Sequence, residues 1–102
     1  FSLTFDIAWK VMKDILVKDM EILNFATGSP RETLQQAFQN RLIEDDKWIQ
    51  MLKVRNQLAH DYDGTLALEK FADIIHVYYP LMEKFKDKAA KYTQPQISER
   101  KI

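Results

Sequence analysis

No cysteine occurs among the 102 residues, which excludes disulfides, thiolate chemistry and cysteine-ligated zinc. Two glycines and three prolines are too few for an all-β design, which needs a turn signal every 8–12 residues or so. Neither sign of charge dominates: 15 basic residues face 15 acidic ones. The whole-molecule field therefore does not mark a polyanion-binding protein, and any nucleic-acid affinity has to come from a local patch. There is no run of about 18 apolar residues, so the sequence contains no membrane span. No secretory signal is visible either, and the expected location is the cytoplasm. The two histidines, His60 and His76, do not form a short metal-ligand pair, and neither a metal nor another cofactor is expected.

What remains is amphipathic helix. With 46% hydrophobic residues, the chain fits one domain with a core of its own, alone or as a dimer. The opening stretch, FSLTFDIAWKVMKDILVKDMEIL, repeats Phe1, Phe5, Ala8, Trp9, Met12, Ile15, Leu16 and Leu23 at spacings of three and four. It starts in helical rhythm with neither a methionine nor a capping residue, so a further helix upstream is expected in the natural chain. NFATGSPRE breaks the helix at Gly28 and restarts it with Ser29 at N-cap, Pro30 at N1 and Glu32 at N3. The second helix carries Leu34, Ala37 and Phe38 and runs out near residues 40–42.

The acidic triplet EDD opens a third helix with Trp48, Met51, Leu52 and Leu58 on its apolar face, ending at HDYDG. Asp63-Gly64 is a turn signal, and Thr65 is expected to cap a last long helix that Pro80 should kink. Trp9, Trp48 and the four methionines read as core, and His76 as a half-buried or interface residue. Of the adjacent Tyr78 and Tyr79 only one can face the core. Lys84, Lys86, Lys88 and Lys91 read as a solvated basic end, and Asp61 and Asp63 as shaping the exit from the third helix, with Asp61 available to an arginine. Residues 1–93 form one domain and 94–102 a tail. The expected fold is all-α, an antiparallel (up-down) four-helix-type bundle with short loops.

One stretch does not reduce to packing. RNQLAHDYDG places Arg55, Asn56, His60 and Tyr62 at the end of the third helix. At about 100° per residue Asn56 and His60 form an i,i+4 pair, with Arg55 close by around the helix. Together they offer a permanent cation, an amide and a group that titrates near neutrality. The same residues also describe an ordinary polar helix end, and spacing alone does not choose between the two.

RNQLAHDY resembles the Arg-x4-His-x-Tyr signature of the HEPN superfamily. With SLTFDIAWKVMKDIL and the run from Gly28 through the motif, the chain is similar to the HEPN branch known as nucleotidyltransferase substrate-binding proteins, over residues 2–79. The resemblance implies a HEPN-like bundle lacking part of its N-terminal helix region, a homodimer, and a minimal nucleotidyltransferase as partner. It also implies a metal-independent ribonuclease toxin in which Arg55 and His60, with Asn56 beside them, act on RNA, and Tyr62 accepts an adenylyl group that silences the toxin. Two other readings stay open: a non-catalytic substrate-binding subunit of a two-component nucleotidyltransferase, and a helical interaction module that cleaves nothing.

Overall fold

A computed structural model describes residues 1–22 and 28–101, with side chains as far as residue 92. Its elements are α1 (Ser2–Lys18), α2 (Pro30–Gln39), α3 (Lys47–Leu58) and α4 (Thr65–Asp73), which runs through a π-helical turn (Ile74–Tyr78) into α5 (Tyr79–Lys101). Counting α4 to α5 as one rod gives four helices, with no strand among the described residues. α1 packs against α2, α3 and α5, and α2 against α3. The result is the expected all-α bundle. No helix in the described residues is long and apolar enough to cross a membrane.

The core follows the periodic residues. Phe5, Met12, Leu16, Leu34, Trp48 and Met51 are almost fully buried. Trp48 lies between Phe5, with ring centroids 6.2 Å apart, and Phe85, met edge-on at 5.9 Å. Val54, not part of the face read from the sequence, is buried too, while Leu58 and Met20 are partly buried. Tyr78 faces the core and stacks on Phe1 at 5.7 Å, leaving Tyr79 partly exposed. Trp9 is only half-buried, against the expectation of a core tryptophan. His76 is exposed, because it falls on the outer side of the π-turn.

Helix boundaries were partly hidden from sequence. α1 ends at Lys18, ten residues before the glycine break: Glu21 turns left-handed at φ 56°, and the Ile22 N–H reaches back to the Leu16 carbonyl at 2.8 Å. Leu23 and residues 24–27, between this turn and Gly28, lie outside the described residues. The start of α2 is as read: Ser29 Oγ accepts from the Glu32 N–H at 3.2 Å, and Glu32 accepts from the Gly28 N–H at 2.8 Å. α2 ends in a Schellman turn with Arg41 in the left-handed position, where glycine is usual; Leu42 N–H bonds the Ala37 carbonyl at 2.8 Å. Lys88 caps that turn by donating to the Arg41 carbonyl at 2.6 Å, so this lysine is not merely solvated.

Pro80 is accommodated by the widened turn. Proline cannot donate to the residue four back and its ring crowds that carbonyl; the helix answers with a π-turn in which the Tyr79 N–H reaches Ile74, five residues back. Beyond Ala89, the last buried residue among those with described side chains, α5 continues through Lys101 and takes in the segment that the sequence set apart as a tail.

Candidate functional site

Arg55 and Asn56 occupy the last turn of α3, whereas His60 and Tyr62 lie beyond its end at Leu58. The chain leaves the helix through a tight turn: Ala59, His60 and Asp61 donate backbone bonds to Arg55, Gln57 and Leu58. The turn then serves the next helix. Asp61 accepts from the N–H groups of Leu66 at 3.1 Å and Ala67 at 2.9 Å, and Asp63 from Thr65 at 3.1 Å. These bonds satisfy donors that the first turn of a helix leaves unpaired. Thr65 is thus not the cap: Gly64 holds the N-cap position at φ 78° without a side chain to offer, and the two aspartates do the capping. Asp61 serves α4 and binds no arginine among the described residues. The Thr65 N–H bond is also the main cause that holds the Asp63 carboxyl below its usual range.

The two aspartates fix where the motif side chains emerge. Tyr62, between them, is 96% exposed. His60 is exposed, and its imidazole forms no hydrogen bond or ion pair among the described residues. No hydrogen bond joins Asn56 to His60 among the described residues; Asn56 lies instead beside Arg55.

Arg55 has an unforeseen partner. Its Nε–H donates to Asp6 Oδ1 at 3.0 Å and its Nη2–H to Oδ2 at 2.9 Å, a forked ion pair tying α3 to α1. The side chains are 36% and 25% exposed. Hydrogen bonding to Arg55 holds the Asp6 carboxyl below its usual range against the opposing effect of burial; the Arg55 charge, Trp9 and Lys10 act in the same direction. The same bond raises Arg55. Nη1 meets Asn56 Oδ1 at 3.4 Å. Asp6 thus takes the Nε/Nη2 edge of the guanidinium, while Nη1 lies beside the Asn56 amide oxygen.

No local signal marks Asp6, since its partner lies two helices further along the chain. No group of three or more His, Cys, Asp or Glu side chains suits a metal ion among the described residues. The larger surface hollows lie away from the motif: about 640 Å³ between α1 and α5, floored by Ala8, Met82 and Ala89, and about 580 Å³ around Trp48, Lys84 and Lys88.

A family model described as nucleotidyltransferase substrate binding protein like matches residues 1–91. No curated protein and no solved structure matches the chain.

Proposed function

The chain belongs to the nucleotidyltransferase substrate-binding protein-like family, which is related to the HEPN superfamily, and on that premise we propose that it is a HEPN-type toxin: a metal-independent ribonuclease silenced by a partner nucleotidyltransferase. The observation that carries the reading is the Arg55 guanidinium, held by a forked bond from Asp6 with Nη1 beside Asn56, just before the exposed His60.

A phosphate would take the Nη1/Nη2 edge in a forked contact, placing the arginine charge where negative charge develops in cleavage. The substrate's own 2′-hydroxyl attacks the adjacent phosphorus, closing a 2′,3′-cyclic phosphate and breaking the bond to the 5′-oxygen. One imidazole removes the hydroxyl proton and another returns a proton to the leaving oxygen. Asn56, at the Nη1 end, keeps the guanidinium in plane and can donate its amide to a phosphate oxygen.

One chain supplies one His60, so separate acid and base need a second copy. α4 offers the surface for it. This helix buries no residue and exposes Leu68 and Phe71, and the π-helical turn that follows exposes Ile75. Because α4 starts directly after the motif turn, pairing two copies with their α4 helices parallel along this face brings the two motif turns together. Tyr62, almost wholly exposed, is the acceptor for the transferase; an adenylyl phosphate there adds bulk and negative charge beside the phosphate position.

The second reading, a non-catalytic substrate-binding subunit, has the Asp6–Arg55 pair in its favour, since a neutralised arginine attracts phosphate less. Incubating the purified protein with total RNA and tRNA in EDTA, beside Arg55→Ala and His60→Ala, separates the two. Cleavage that survives EDTA and needs both residues supports the toxin; no cleavage by folded, unmodified dimer rejects it.

A further inference from the structure

Asp6 belongs to no motif, yet its carboxylate gathers the groups around Arg55. It accepts from Arg55 Nε at 3.0 Å and Nη2 at 2.9 Å, and the Trp9 side chain donates to it as well. An indole has a single donor, its N–H, and Trp9 is three residues on from Asp6, on the same face of α1. The ring is seated against the core, so this donor is fixed to the body of the bundle. The carboxylate is therefore held from its own helix while it holds an arginine on another. On the guanidinium, Asp6 takes one hydrogen of Nε and one of Nη2, and Asn56 Oδ1 takes one of Nη1 at 3.4 Å. The second hydrogens of Nη1 and Nη2 have no partner among the described residues.

This arrangement acts on an incoming phosphate in two opposing ways. The Asp6 charge offsets that of Arg55 and repels the phosphate, so it works against simple ionic capture. It also removes rotamer freedom from a long side chain that is 36% exposed, before any ligand arrives. Fixed donors matter most where charge grows during a reaction, since they need not reorganise as the bond breaks. A free arginine would serve binding alone better, whereas a pinned one serves the transition state. We propose that Asp6 is a positioning residue for Arg55, keeping the guanidinium in one orientation so that its remaining Nη hydrogens meet the scissile phosphate as charge builds on the oxygens. The inference rests on the ribonuclease reading for the reaction served. It adds a residue that touches no substrate and lies 49 positions from Arg55 in sequence.

The test compares the parent protein with Asp6→Asn and Asp6→Glu, both checked for folding by circular dichroism. The first quantity read is solvent exchange of the Arg55 Nε–H in proton–nitrogen NMR spectra, assigned by its absence from Arg55→Lys. The second is affinity for a single-stranded 2′-O-methyl oligoribonucleotide, which offers no nucleophile. The third is the single-turnover rate on the same RNA sequence with free 2′-hydroxyls, in EDTA. Asp6→Asn should speed the exchange roughly tenfold, as loss of a charge-assisted bond does. It should bind the oligonucleotide as tightly as the parent or more tightly, yet cleave on the order of 10²-fold more slowly. Asp6→Glu keeps the charge and should recover part of both the slow exchange and the rate. Equal losses of affinity and rate in Asp6→Asn would show a structural role and overturn the proposal. Faster cleavage by Asp6→Asn would make the carboxylate a brake, which overturns it too. Cleavage by the parent with Nε–H exchange unchanged in Asp6→Asn rejects the role of Asp6 and leaves the ribonuclease. A parent that cleaves nothing, while Asp6→Asn still frees its Nε–H, rejects the ribonuclease and the positioning role with it.

Discussion

Arg55 on α3 and Asp6 on α1, separated by 49 residues in sequence, meet through two parallel hydrogen bonds of 3.0 and 2.9 Å. The pair joins two helices and also aims the one permanent cation of the motif. Both partners keep partial contact with water, which screens their attraction. Its value therefore lies as much in orientation as in stability.

Replacing Asp6 by Asn removes the charge and one of the two acceptors while keeping the shape. The expected loss is about 1 kcal/mol, discounted for exposure. A double-mutant cycle with Arg55→Gln, read by urea denaturation, should return most of that loss as coupling. If the single losses simply add, the two residues do not stabilise the fold through each other.

The same pair makes stability depend on pH. The folded-state carboxyl of Asp6 titrates below the ordinary 3.8, so the folded chain holds fewer protons there than the unfolded chain. Its contribution is complete above the unfolded value and is lost as the pH falls through the lower folded value. Urea midpoints measured from pH 6 downward should fall more steeply below about pH 4 for the parent protein than for Asp6→Asn. Parallel curves would show that Asp6 carries no such linkage.

Asp61 links the motif turn to α4 through two backbone N–H groups. Asp61→Ala should cost about 1–2 kcal/mol, as expected for loss of a helix cap. The turn that carries His60 and Tyr62 should also loosen, seen as faster amide exchange at Leu66 and Ala67. Unchanged exchange at these two amides would contradict the assignment.

Trp48 is the central packing residue, held between Phe5 and Phe85. Trp48→Ala should remove about 3–5 kcal/mol, a large part of the stability of a domain this size. Thermal unfolding is the measurement. A variant that melts within a few degrees of the parent would mean that the core closes over the cavity.

The helices were legible in the sequence where local physics decides them. The Ser29–Pro30–Glu32 start and the Gly64 turn depend on residues within five positions. The stripes that bury Phe5, Met12 and Trp48 depend only on the helical period. The end of α2 near residue 40 was legible, but the end of α1 was not, because the left-handed Glu21 that follows it is a conformation its residue type does not announce. Thr65 misled for a related reason. A threonine before an apolar run is a sound capping signal, but two aspartates earlier in the turn reached the free N–H groups first.

By itself, the sequence determined the class of the fold, the four helices, most of the core and the motif at the end of α3, since each is set by periodicity or short-range hydrogen bonding. Tertiary structure alone decided that Arg55 is paired with Asp6, that Trp9 is only partly buried, and that Asp61 and Asp63 cap the helix after the motif turn. Contacts between helices depend on how the helices cross, and where a helix stops depends on what its last turn packs against. Neither is written in the spacing of residues along one helix.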